Sequence, residues 1–166
     1  ALDNSGGLLQ SAAGLYINTA GHALTNRNSG SAGGIVSAGT LEISSGNLDN
    51  RAGVVFAQGN AQLGVGAMDN TQGGSLVSAS DVTLRAVSLA NSGGEVKSGR
   101  NADISLQGAL DNNAGLVAST GNLVLQAATV DNRNTAAGSI LGLQAGSLQV
   151  NAQRLDNQQG QVIADD

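Results

Sequence analysis

The chain has no cysteine and no proline, and its only aromatic residues are Tyr16 and Phe56. Without cysteine there is no disulfide framework and no thiolate metal site. That absence suits either a reducing compartment or an exported chain that avoids disulfides. A broad globular core usually leans on large aromatic side chains, whereas a narrow core stacked from Leu, Val, Ile and Ala does not need them. Charge is sparse: 11% of residues are charged, and the net charge is −5. The seven cations, Arg27, Arg51, Arg85, Lys97, Arg100, Arg133 and Arg154, are scattered. Their dispersal argues against a nucleic-acid partner, because neutralising phosphates needs clustered cations. No apolar run is long enough for a membrane-spanning helix, so no membrane span is expected. Hydrophobic residues nevertheless make up 40% of the chain, which is not the profile of a disordered polypeptide.

What the chain does contain is a recurring phrase. Leu48-Asp49-Asn50 is followed by Gly53 and the apolar run Val54-Val55-Phe56. The phrase returns at Leu2-Asp3-Asn4, Met68-Asp69-Asn70, Leu110-Asp111-Asn112, Val130-Asp131-Asn132 and Leu155-Asp156-Asn157. Leu24-Thr25-Asn26 and Leu89-Ala90-Asn91 keep the outer residues and change the middle one. The intervals between these Asn residues are 22, 24, 20, 21, 21, 20 and 25. A period in this range is the signature of a repeat array.

Each repeat has room for three short strands and no helix. In the template, Val54-Val55-Phe56-Ala57 reads as a first strand, and Ala61-Gln62-Leu63-Gly64-Val65 alternates as a second. A third runs into Asp69-Asn70. This is the plan of an all-β parallel β-helix, a solenoid with three strands per coil. Coils stack at about 4.8 Å, so about seven to eight of them make a rod on the order of 35 Å long. A single coil cannot bury its own apolar side, so stability comes from stacking.

Alignment predicts inward columns. The first strand contributes Leu9, Val36, Val55, Leu76, Val96, Val117, Ile140 and Val162. The second contributes pairs such as Leu41 and Ile43, Leu84 with Val82, and Leu123 with Leu125. The third contributes Leu24, Leu48, Met68, Leu89, Leu110, Val130 and Leu155. Period-two alternation then turns Asn50 inward and Asp49 outward. Asn4, Asn26, Asn50, Asn70, Asn91, Asn112, Asn132 and Asn157 are expected to form a hydrogen-bonded structural ladder, with the Asn itself taking the left-handed backbone of the corner. The outward Asp residues read as solvated turn residues. A calcium stack would need oxygen ligands of this kind, but the glycine-rich nonapeptide of calcium-binding β-rolls is missing.

Two turns are swollen: Arg27 to Gly34, and Arg133 to Gly138. Both fall at the same corner and read as surface loops. On the first strand, apolar residues flank the inward position at Leu8, Ile35, Val54, Phe56 and Leu116, and also at Val77, Leu141 and Ile163. Such a stripe marks a candidate contact surface. Charge gathers only at Asp81, Arg85, Glu95, Lys97, Arg100 and Asp103. His22 has no second His and no Cys to work with. No catalytic, cofactor-binding or metal-binding residue is assigned, and the chain does not read as an enzyme. The alternative reading is a polysaccharide-active parallel β-helix enzyme, lyase or hydrolase, built on the Asp81–Asp103 patch.

The phrase Leu-Asp-Asn-x-x-Gly-x-Leu/Val, followed by Ala/Ser-x-Gly and an alternating strand, resembles the filamentous-haemagglutinin repeat. The resemblance covers nearly the whole chain in eight copies. It implies a right-handed parallel β-helix from the stalk of a Gram-negative exoprotein, either an adhesin or a contact-dependent growth inhibition effector. It also implies export by two-partner secretion through an outer-membrane transporter, and a secreted or cell-surface location. A host or neighbouring-cell receptor would be reached through the parent protein. The chain opens at Ala1-Leu2-Asp3 and stops at Asp165-Asp166, both inside the pattern. Residues 1–166 are therefore expected to be one repeat segment of a longer array, a spacer with an adhesive flank. Open strand edges at its ends predict end-to-end self-association.

Overall fold

The computed structural model describes residues 1–136 and 140–166; Ala137 and Gly138 of the second swollen turn lie outside them. The described residues form strands and turns and no helix. In the template coil the strands are Val54–Ala57, Ala61–Gly64 and Ala67–Asp69. Every strand pairs in parallel with its counterpart one coil away: Val55 lies between Ile35 and Leu76, and Leu63 between Ile43 and Leu84. The first strands of all coils make one eight-stranded sheet. The second and third strands make a thirteen-stranded sheet. These two stacks fuse because Asn122–Asp131 runs unbroken from the second position to the third, and Ser147–Asp156 repeats it one coil up. The chain is thus a parallel β-helix, with two faces continuous in its later coils rather than separated by a turn.

The alternation follows from one apolar interior shared by three walls. Leu41, Ile43, Leu48 and Val55 are buried, while Glu42 and Ser44 beside them are exposed. Burial of each aliphatic side chain stabilises by roughly 1.5–3 kcal/mol, and the stack repeats it coil after coil.

The inward column of the first strand differs from its sequence reading in two places. The register runs Leu9, Ile35, Val55, Leu76, Val96, Val117, Leu143, Val162. Val36 therefore faces out beside Phe56, and Ile35 is fully buried. Ile140 is 78% exposed, and Leu143 fills its place. Both corrections follow a swollen turn. After the first, the strand begins on Gly34, one residue earlier than the alternation implied, and after the second it begins on Gly142.

Polar side chains close the corners. Between first and second strands, the hydroxyls of Ser37, Ser78 and Ser98 donate to carbonyls of the coil below. Asn60, Asp81 and Asn101 each accept the backbone N–H of the residue one coil up. Among the described residues no buried side-chain nitrogen or oxygen lacks a partner. In the coil that ends at Asp166, Leu155, Val162 and Ile163 are more than one-third exposed.

Candidate functional site

The corner after the third strand carries the recurring Asn. The side-chain amide of Asn4 donates to Oδ1 of Asn26, which donates to Asn50, and the chain of bonds continues through Asn70, Asn91, Asn112 and Asn132 to Asn157 at 2.7–2.8 Å. The same amides donate to carbonyls one coil up, among them Val54, Ser75, Glu95, Leu116 and Gln161. With these partners the ladder from Asn26 to Asn132 is closed to a ligand as well as to water. The left-handed backbone lies elsewhere than expected. It is the second residue after each ladder Asn that has positive φ: Gly6, Asn28, Ala52, Gln72, Gly93, Ala114, Asn134 and Gln159, between 48° and 65°.

The Asp of the phrase has a role that reading it as a solvated residue missed. Oδ1 of Asp3, Asp49, Asp69, Asp111, Asp131 and Asp156 accepts the N–H two residues on, at the start of the turn. Side chains of this turn geometry mimic a backbone hydrogen bond. Arg51 and Arg133 also bind Asp49 and Asp131 through two guanidinium nitrogens each. The Arg51 and Arg133 hydrogen bonds hold these two carboxyls below the usual carboxylate range, partly offset by burial. The Ser5 hydroxyl does the same for Asp3. Arg51 reaches on to Asp69 at 3.6 Å, and Arg133 to Asp156 at 3.9 Å. Among the described residues no group of three or more acidic, His or Cys side chains is placed to hold a metal ion.

The outer face of the eight-stranded sheet is different. Its outward columns place Leu8 and Val54 on one line, and Val36, Phe56 and Val77 on the next. Leu8 is 49% exposed, and the others are half-buried. Ser31, Ala32 and Gly33 of the first swollen turn form one rim, and together these residues line a groove of about 490 Å³. At its far end Ser75 donates to Glu95, which pairs with Lys97 at 3.8 Å. Two residues expected on this face are not on its surface. Ile35 is inward for the register reason above. Leu116 is outward in register but only 6% exposed, lying directly below Gly142, where the second swollen turn rejoins the sheet.

The charged patch does not assemble into one site. Arg85 and Asp103 pair at 3.7 Å on the outer face of the large sheet, both more than half exposed. Glu95 and Lys97 sit on the other sheet, and Asp81 lies at the corner between, accepting from Asn101. Exposed pairs of this kind contribute little, and Asp81, Glu95 and Asp103 stand on three different parts of the surface.

The haemagglutinin-repeat family model matches residues 1–64, 43–114, 111–145 and 143–166, which together span the whole chain. The chain belongs to the haemagglutinin-repeat family. No curated protein and no solved structure gives a significant match. A haemagglutinin repeat on a parallel β-helix fits a structural, adhesin-type stalk, and membership sets an extracellular location. Within the repeat unit, the Leu, Asp and Asn of the phrase are respectively core, turn cap and ladder. No helix among the described residues is long and apolar enough to cross a membrane.

Proposed function

We propose that this haemagglutinin-repeat chain is a segment of a longer stalk in a large exoprotein, exported by two-partner secretion through an outer-membrane transporter to the bacterial cell surface. The stalk holds the working parts of an adhesin or a contact-dependent growth inhibition effector away from the cell. The observation that supports this reading is the unbroken Asn ladder, which joins every coil to the next while offering no chemistry. The outer face from Leu8 to Val77 is the flank on which the stalk touches a host or neighbouring-cell receptor, because it is apolar where a free β-face is normally polar.

The test replaces residues 1–166 in the parent exoprotein with an equal number of coils from an unrelated parallel β-helix. Export and activity that persist support a spacer; loss of either while the chimera folds removes that reading. The flank is tested separately, with beads carrying the chain. Phe56→Asp and Val77→Asp should reduce adhesion to target cells at least tenfold at unchanged thermal stability, and equal adhesion would leave a stalk without a contact face. Turnover of an acidic polysaccharide that Asp103→Ala abolishes would replace the stalk with an enzyme. Copies should also stack end to end at high concentration through the exposed last coil, and a strict monomer by light scattering would count against that.

A further inference from the structure

The two swollen turns are built to one pattern, visible only when their hydrogen bonds are compared with those of a regular turn. In a regular turn the Gly three residues after the ladder Asn does two things. Its N–H donates to the Asn carbonyl, as Gly53 to Asn50 and Gly115 to Asn112. Its carbonyl accepts the N–H that begins the first strand one coil up, as Gly53 from Ser75 and Gly115 from Gly142. No side chain fits there: a Cβ on Gly53 would lie 2.0 Å from the Asn26 carbonyl oxygen, and on Gly115 2.2 Å from that of Asn91.

In the swollen turns this position is Ser29 or Thr135, both buried. The Ser29 hydroxyl donates to the Asn26 carbonyl at 3.2 Å and accepts the Val54 N–H at 3.1 Å. The Thr135 hydroxyl donates to the Asn132 carbonyl at 3.0 Å and accepts the Gln161 N–H at 2.8 Å. One hydroxyl therefore makes both bonds of the missing glycine, upward and within the turn. Downward, the pattern is completed by Gly34 and Gly142, with φ of 109° and 102°. Their N–H groups donate to Gly7 and Gly115, and their carbonyls accept from the ladder amides of Asn4 and Asn112. Cβ atoms there would lie 2.4 Å and 2.2 Å from backbone oxygens of the coil above. Between hydroxyl and glycine stand four residues in one turn and six in the other, 30–33 and 136–141. Residues 30–33 make no hydrogen bond to the coils above or below.

We propose that Asn-Arg-Asn-Ser/Thr…Gly is a loop-bearing version of the haemagglutinin-repeat corner. The buried hydroxyl and the left-handed glycine complete the stack between them. The residues bracketed in the first turn, 30–33, are then free to vary in length and sequence, and this corner is where the rod displays variable surface sequence. The first loop forms the rim of the apolar groove, so its sequence sets the shape of that face. This proposal stands whether or not the chain is a stalk.

The test is thermal melting with amide exchange on the chain itself. Eight Gly and Ser residues inserted between Ser31 and Ala32 should move Tm by no more than about 3 °C, because lengthening an open loop changes closure entropy slowly. The same insertion between Gln72 and Gly73, in a turn without the hydroxyl, should lower Tm by about 8 °C or more, since it breaks the Gly73 and Gly74 bonds. Ser29→Ala should lower Tm by about 3–8 °C and speed exchange of the Val54 amide at least tenfold, and Ser29→Thr should restore both. Deleting residues 30–33 should destabilise the chain with Ser29 in place and be tolerated together with Ser29→Gly, which rebuilds the regular turn. Equal losses from the two insertions, a Ser29→Ala variant with wild-type melting and Val54 protection, or a deletion insensitive to residue 29 would each overturn the proposal.

Discussion

The side-chain amide of Asn50 donates to Oδ1 of Asn70 at 2.8 Å, twenty residues on and one coil up. Asn70 in turn donates to Asn91, to the Gly74 carbonyl and to the Glu95 carbonyl. Removing it leaves buried donors and acceptors above and below without partners. Asn70→Ala should therefore lower stability by about 3 kcal/mol, read as a Tm about 6–12 °C lower for a chain of this size. Asn70→Asp keeps the shape but points a carboxylate at three acceptors. Burial and those acceptors raise its folded pKa, so its deficit against wild type should shrink between pH 7 and pH 5. A deficit that grows on acidification would contradict the ladder geometry.

The register at the first swollen turn makes neighbouring residues opposite in kind. Ile35→Asp puts a carboxylate inside an apolar stack and should abolish folding. Val36→Asp faces solvent and should stay within about 1 kcal/mol of wild type. Circular dichroism of the two purified variants decides it; the reverse order would restore the alternation read from sequence alone.

Ala114 and Gly115 should likewise respond with opposite sign. Ala114 has a φ of 51°, a conformation in which a side chain is strained, so Ala114→Gly should stabilise by up to about 1 kcal/mol. Gly115→Ala drives a Cβ into the Asn91 carbonyl oxygen and should destabilise by about 2 kcal/mol or more. Urea titrations of both variants check the pair.

Acid should weaken the two turn caps that are bound by arginine. The Asp49 carboxyl lies below its ordinary value of 3.8 in the folded chain, chiefly through its hydrogen bond from Arg51, and Asp131 is lowered through Arg133. The unfolded chain then binds more protons than the folded one over that range. Their stabilising effect is complete above the ordinary value and is lost as pH falls below about 4 through the depressed folded values. Arg51→Met should bring the Asp49 titration, followed by carboxyl NMR, back toward 3.8 and flatten the acid limb of the stability curve. An unchanged Asp49 titration would show that Arg51 does not set it.

The period was legible because it rests on residues with few substitutes. Leu48 and its counterparts carry the core of one wall, and the Asn intervals mark one full coil each. That is enough for a parallel β-helix, whose strands must repeat wherever the interval repeats. The outer face was less legible. A two-residue alternation assigns sides only if the first strand residue is known, and Gly33-Gly34 before Ile35-Val36 does not show which glycine ends the turn. Beyond Asn132 the longer insertion hid Gly142-Leu143 behind an equally apolar Ile140-Leu141. A usable signal was present in the shared Asn-Arg-Asn-Ser/Thr of both swollen turns, which marks where the regular turn is abandoned. The Asp role was hidden for another reason: a carboxylate that caps its own turn and one that faces water leave the same mark in a single sequence.

The inter-coil hydrogen bonds and the Asn ladder both run along the length of the rod. Tension applied to its two ends therefore loads one coil-to-coil seam at a time instead of shearing the sheets as units. Each coil that peels away releases about 20 residues, or about 70 Å of extended chain, in exchange for about 4.8 Å of folded height. Under load the rod should lengthen in discrete steps, a shock absorber wound from the same bonds that stack its coils at rest.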